Sequence, residues 1–244
     1  MDLYLASASP PCNSILLLAK ALKLNLNLKE VNIMAGETKT PEFLKMNPQH
    51  TVPTLNDSGF YLWESRAIMT YLVNKYGSRD DPLYPKDPKP KAVVESRLYF
   101  DAITLYPAML KCYLPIIFGK QTEPNPDDIK QAQAAFEIFD TFLEHTEYAG
   151  GDTFSIADIS LLVTVTAYVT VEFDISPYKR VSLWFSKVKE ICPGYEDEFD
   201  ISPYKRVSLW FSKVKEICPG YEDILVKNLS TFKALIDKNK GASS

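Results

Sequence analysis

Pro53 constrains this chain more than any other residue, because it interrupts the extended run Asn47-Pro-Gln-His-Thr-Val-Pro-Thr-Leu55. A proline survives in an extended run only at an edge, a bulge or a tight turn, since its ring fixes φ and removes the N–H. A cis Val52–Pro53 bond is one way to build such a turn. It would leave the Val52 backbone N–H and C=O outside the sheet ladder, where an extended peptide-like ligand could pair with them. Nine residues on, Glu64-Ser-Arg-Ala-Ile68 opens an amphipathic helix. Glu64 and Ser65 fall where helix N-terminal N–H groups point outward, a site suited to a carboxylate. The two features together describe a receptor for a small acidic peptide.

Around them the first eighty residues alternate strand and helix. Asp2–Ala6 reads as an apolar strand, Pro11–Leu22 as a helix with proline in its first turn, and Leu26–Ile33 as an alternating strand. Pro41–Met46 can hold a short helical turn. Thr51–Leu55 and Phe60–Trp63 are joined by Asn-Asp-Ser-Gly, a hairpin signal, and Glu64–Tyr76 closes the unit as a helix ended by Gly77. The order predicts a four-stranded mixed sheet with helices on its faces.

Residues 78–90 hold four prolines and six charges and read as an exposed linker. Everything beyond is helical in pattern. Lys91–Gly119 is long and amphipathic, with bends expected at Pro107 and Pro115. Pro126–His145 follows, and Ser155-Ile-Ala-Asp158 reads as a capping-box opening for a third helix. The expected fold class is α/β plus all-α: an α/β domain over residues 1–77, a linker over 78–90, and an all-helical domain over 91–244.

The helical part contains an identical tandem repeat of 26 residues, 172–197 and 198–223. Structural repeats normally drift apart and number at least three, so a perfect pair points to a recent duplication or an assembly error. Tyr178–Ile191 carries an apolar face that Tyr204–Ile217 duplicates, and one docking slot is expected. Either copy could fill it. The surplus face would then be exposed and invite association.

Composition excludes several classes. A net charge of −4 argues against nucleic acid or an anionic membrane as principal partner. The longest apolar run, Ile159–Val171, is too short to span a bilayer. Met1-Asp-Leu-Tyr-Leu5 has no basic leader and reads straight into a strand, so no signal peptide is expected. Cys12, Cys112, Cys192 and Cys218 have no metal-like spacing, and two of them are copies of one site. Free thiols of this kind fit a reducing, cytoplasmic compartment.

Between the first strand and first helix stands Ser7-Ala-Ser9-Pro-Pro-Cys12. A hydroxyl at the positive end of a helix can favour a thiolate, including one that belongs to a ligand. Ser9 can equally be an ordinary N-cap, and Cys12 a small buried residue or the remnant of a Cys-x-x-Cys redox pair.

The strand–Ser-x-Pro-Cys–helix opening, NPQHTVPTL, the ESRAIMTYL helix and the SIADIS box together resemble a cytosolic glutathione S-transferase. The register of Ser9, Pro11 and Cys12, with GFYLWESRAIMTYLV and LYFDAITLYP, is most similar to the insect delta class, the epsilon class coming next. The resemblance implies a thioredoxin-like N-terminal domain that binds glutathione and a helical domain that completes the site for an apolar electrophile. By position, it makes Ser9 the residue that favours the glutathione thiolate. It places His50 at the glycyl end, Val52 against the cysteinyl backbone ahead of a cis Pro53, and Glu64 and Ser65 at the γ-glutamyl group with Arg66 adjacent. Tyr106, Met109, Tyr113 and Phe118 would line the electrophile site. Glutathione is the implied co-substrate, with no metal, and the implied assembly is a homodimer. Two residues depart from the family pattern: Thr38 stands where a histidine is common, and Asn13 where a basic residue is common. The rival readings are a ligandin-like binding protein of the same fold and a thiol–disulfide oxidoreductase acting through Cys12.

Overall fold

Leu3 and Leu5 alternate inward along β1 (Asp2–Leu5), which is the first strand of the sheet seen in the computed structural model. The structure describes residues 1–118 and 120–191. Pro10 and Pro11 occupy the first turn of α1 (Pro10–Ala21), where a missing N–H costs nothing. The helix returns the chain to β2 (Asn27–Glu30), parallel to β1. A short 3-10 turn (Glu37–Lys39) and α2 (Pro41–Met46), capped by the Thr40 hydroxyl, lead to β3 (Thr54–Asp57) and β4 (Phe60–Trp63). The sheet order is β2-β1-β3-β4, parallel in the first pair and antiparallel in the others.

The strand bounds differ from the sequence pattern: β1 stops at Leu5, one residue short of Ala6, and β3 runs on to Asp57, so that Asn56 and Asp57 are ladder residues and only Ser58 and Gly59 turn. β3 begins at Thr54 and not at Thr51, because Pro53 has no N–H to give the ladder. β2 stops at Glu30, and all four of its residues are exposed, as befits the sheet edge. Its polar alternation therefore records a strand with a thin apolar face. The hairpin between β3 and β4 turns on Ser58 and Gly59, both at positive φ (55° and 94°), the geometry that matches strand twist.

α3 (Ser65–Tyr76) ends at Gly77, whose φ of −69° is ordinary. Glycine is required there by proximity: a Cβ would sit 2.6 Å from the Val73 carbonyl oxygen. α4 (Pro88–Phe100), a wide π turn (Asp101–Leu105) and α5 (Tyr106–Ile117) form one continuous helical stretch. The wide turn lies just before Pro107, whose ring and absent N–H disrupt regular i→i−4 bonding at that point. Although this stretch is long and apolar enough to cross a bilayer by length alone, it packs against α6 (Pro126–Phe142) and α7 (Ile156–Thr170) as a core helix does. α7 is buried along almost its whole length and also packs on α1, joining the sheet half to the helical half.

Ser155 opens α7 with a capping box: its side chain accepts from the helix backbone and Asp158 returns the bond to the Ser155 N–H at 2.9 Å. α8 (Lys179–Ile191), from the first repeat copy, docks on α6 and α7. Tyr178 stacks on Phe136 (5.1 Å), Trp184 meets Phe139 edge-on (4.8 Å), and Trp184 Nε1 donates to Asp158 Oδ1 at 2.9 Å. The second copy, 198–223, lies outside the described residues.

Candidate functional site

The loop before β3 is organised by one buried amide. Asn47 donates from Nδ2 to the Thr51 carbonyl (2.9 Å) and to Thr54 Oγ1 (2.9 Å), and its Oδ1 accepts from the Gln49 N–H at 2.9 Å. Its carbonyl accepts from the His50 N–H at 3.0 Å. His50 adopts φ +50°, in the left-handed region that histidine tolerates better than most residues, and its ring is exposed. The Val52–Pro53 peptide is cis. Val52 is half-buried, precedes the first ladder residue Thr54, and so presents its backbone outside the sheet.

Glu64 follows β4 with φ +66° and ψ 104°, a sparsely populated conformation for a side chain of its size. Such a conformation costs about 1–3 kcal/mol and concentrates at sites of function. Glu64 is exposed and stands at the N-cap of α3 without making a capping hydrogen bond. Its neighbour Ser65 is buried, and Ser65 Oγ accepts from Arg66 Nη1 at 3.1 Å. Arg66 Nη2 in turn reaches Asp101 Oδ2 at 2.5 Å. Ser160 Oγ on α7 donates to the same oxygen, also at 2.5 Å. A chain of polar contacts therefore runs from the α3 N-terminus through the wide turn into α7. Asp101 was not among the residues singled out from the sequence. The available signal was its position on the buried stripe Val94, Leu98 and Leu105, where an acid needs a partner.

Ser9 sits at the N-cap of α1 with extended backbone angles (φ −88°, ψ 115°), yet its hydroxyl makes no capping bond. The Ser9 carbonyl accepts from the Cys12 N–H (3.0 Å) and the Asn13 N–H (3.2 Å). Cys12 is fully buried. Burial pushes its thiol up to about 12, against the opposing hydrogen bonds of Ser9 and the Ala6 backbone. Full burial and a raised thiol both count against the oxidoreductase reading, which needs an accessible thiolate. Asn13 is buried behind it, and Thr38 is buried in the 3-10 turn.

Tyr106 connects the two ends of this region. Its ring lies 5.4 Å from the Arg66 guanidinium carbon. Burial raises its phenol above the usual value, the Arg66 charge pulls it back, and Cys12 and Asp101 push it up again. It is half-buried, and Phe118 at the far end of α5 is 46% exposed. Met109 and Tyr113, on the same helical stripe, are closed into the core, Tyr113 edge-on to Tyr168 at 6.4 Å. Of the four expected lining residues, two thus present surface and two pack inward.

Residues 1–74 match the family model described as glutathione S-transferase, N-terminal domain. The chain is similar to a delta-class glutathione transferase of Nilaparvata lugens, with 39% identity over 98% of this chain and 99% of that one, at a TM-score of 0.82. It is similar to the Bombyx mori glutathione transferase BmGSTD1, solved in complex with GTT, with 37% identity over 96% of both chains and a TM-score of 0.79. An epsilon-class glutathione S-transferase of the housefly, Musca domestica, is 34% identical over 98% of this chain and 97% of that one, with a TM-score of 0.80.

Proposed function

Because this chain belongs to the glutathione S-transferase family, we propose that it joins the glutathione thiolate to small apolar electrophiles and releases a thioether conjugate. The observation that carries this reading is the Ser9 hydroxyl, placed at the α1 N-terminus and not spent on capping it. There it can donate to the glutathione sulfur, supported by the positive end of the helix, and favour the thiolate. The cis Val52–Pro53 edge would hold the cysteinyl backbone, with His50 near the glycyl carboxylate. Glu64 and Ser65 would take the γ-glutamyl ammonium and carboxylate, with Arg66 steadied behind them. Tyr106 and Phe118 would face the electrophile, and Met109 and Tyr113 would support them from behind. Proximity and thiolate stabilisation supply the acceleration.

On this reading residues 1–77 form the glutathione domain, 78–90 the connection, whose last three residues already belong to α4, and 91–244 the helical domain of a cytoplasmic enzyme. The active form would be a two-fold dimer. Phe60 and Tyr61 on β4, and Tyr99 and Ile103 on the long helix, are exposed apolar side chains suited to an isologous contact between one subunit's sheet half and the other's helices. Conjugation of a chlorodinitrobenzene-type substrate by the wild type and Ser9→Ala tests the mechanism. A large loss of kcat is expected in the variant, and equal rates would remove Ser9 from it.

The identical tandem repeat favours one rival, because a surplus apolar segment could block the electrophile side: a binding protein of the same fold that holds ligands without turnover. Retention on immobilised glutathione with no conjugation of any small electrophile would decide for it.

A further inference from the structure

We propose that Glu30, at the end of β2, is a positioning residue for Ser9, acting by clamping the turn that presents the Ser9 hydroxyl. The inference rests on the role of Ser9 given above. The chain passes from β1 to α1 through a turn over residues 6–9, closed by the Ser9 N–H donating to the Ala6 carbonyl at 2.9 Å. Its second residue, Ser7, is held twice by one carboxylate: the Ser7 N–H donates to Glu30 Oε1 at 2.9 Å and Ser7 Oγ to Glu30 Oε2 at 2.9 Å.

Elsewhere the turn is held by the Ser9–Ala6 bond and by Ala8, which packs partly buried against the core. Ser7 and Ala8 are small and partly exposed, and Pro10 and Pro11 have no N–H with which to bond backwards. Glu30, by contrast, is fixed to the sheet. It is paired with Leu5 in the parallel ladder, and the next residue, Val31, donates its N–H to the Leu5 carbonyl at 2.8 Å. The bidentate contact therefore ties the turn to β2, and through the turn sets where the Ser9 oxygen stands.

The same carboxylate works electrostatically in the opposite sense. After burial, which dominates, the Glu30 charge is among the influences that disfavour an anion at the neighbouring Cys12 sulfur. Geometry and charge at Glu30 thus oppose each other, and different variants separate them. Glu30→Ala removes both. Glu30→Gln keeps an acceptor for Ser7 and removes the charge.

The test follows thiolate formation by bound glutathione, from its ultraviolet absorbance against pH, together with kcat and the KM for glutathione in the full chain. Glu30→Ala is expected to lower kcat roughly tenfold and move thiolate formation to higher pH, with KM changed less than about twofold. Glu30→Gln is expected to keep kcat within about threefold and not to raise the pH of thiolate formation. If Glu30→Ala leaves kcat and thiolate formation unchanged while Ser9→Ala lowers both, the positioning role is overturned and the Ser9 mechanism stands. A fall in kcat with a raised KM and no change in thiolate formation also overturns it. If Ser9→Ala itself has no effect, the reading beneath it fails first. Should Glu30→Ala not fold, Ser7→Ala, which removes only the hydroxyl contact, is expected to give a smaller shift in the same direction, and no shift overturns the proposal.

Discussion

Arg66 on α3 and Asp101 in the wide turn of the long helix meet at 2.5 Å, Nη2 to Oδ2, and this ion pair ties the end of the proposed glutathione site to the helical half. Asp101 is fully buried and takes a second bond from Ser160, while the Arg66 side chain is 15% exposed and carries Tyr106 over its guanidinium. Removing one partner leaves the other charge desolvated. Asp101→Ala should destabilise the chain by about 3 kcal/mol, within the range for breaking a buried pair. It should also raise the KM for glutathione, because Ser65 loses a neighbour fixed from behind. Ser160→Ala, which deletes a single donor to a buried carboxylate, should cost about 2 kcal/mol. Denaturant unfolding and steady-state kinetics on the same two variants measure both effects.

Cys12 offers a separate check, on chemistry. With its thiol pushed up from an ordinary 9.0 to about 12 by burial, it is expected to resist alkylation in the native state near neutral pH, and Cys12→Ala should keep conjugation activity. The sign of its stability linkage is fixed by the direction of the shift. The folded value lies above the unfolded one, so its contribution is complete below about pH 9 and is lost as pH rises towards the folded value. Urea unfolding at a series of alkaline pH values should therefore show a steeper decline for the wild type than for Cys12→Ala. Parallel curves would mean that the thiol is less enclosed than its surroundings imply.

The carboxylate of Asp57 behaves in the opposite way. Lys75 Nζ (2.6 Å), Tyr76 Oη (2.5 Å) and Tyr71 Oη (2.7 Å) all converge on its Oδ2, and these bonds, Lys75 foremost, hold it well below the usual carboxylate range. A lowered folded value gives stability that is present above the unfolded value of 3.8 and lost as pH falls towards the folded one. Asp57→Asn should lower the unfolding midpoint at neutral pH and flatten the acid limb of the stability profile. Tyr71 also packs on the exposed Phe60, with ring centroids 5.3 Å apart, so the same variant should weaken self-association in sedimentation experiments if β4 lies in the dimer contact.

What could be read from the sequence was local, and what could not was contact between distant segments. Pro53, the Ser58–Gly59 turn, the Ser155–Asp158 box and the prolines at the starts of helices each declare their geometry through one backbone constraint, and the fold class follows from their order. Ser9, Val52 and Glu64 can be proposed from the sequence because each occupies such a constrained position. Glu30 and Asp101 cannot. Their partners lie 23 and 35 residues away, and only the folded chain brings Ser7 to one and Arg66 to the other. Met109 and Tyr113 share a helical stripe with Tyr106, but periodicity does not distinguish a face turned to a ligand from one turned to α7.

The duplicated segment gives the last prediction. Deleting either copy yields the same polypeptide of 218 residues, because 244 less one 26-residue copy is 218 and the copies are identical. In that chain one helix is available for the slot on α6 and α7, with its tryptophan donating to Asp158 as Trp184 does and its arginine pairing with Asp140 as Arg180 does at 2.9 Å. The glutathione side of the site involves none of these residues, so conjugation activity should be retained. Trp184→Phe in the shortened chain should cost about 1–2 kcal/mol, since Asp158 loses a buried donor but keeps those of Ala149 and Ser155. In the full chain the same change should cost less, because Trp210 belongs to an identical sequence and replacing one copy by the other requires closing a loop of 26 residues, a cost that grows only slowly with length. Unfolding midpoints of the four proteins measure the difference directly. Equal costs of Trp184→Phe in both backgrounds would show that the second copy never enters the slot.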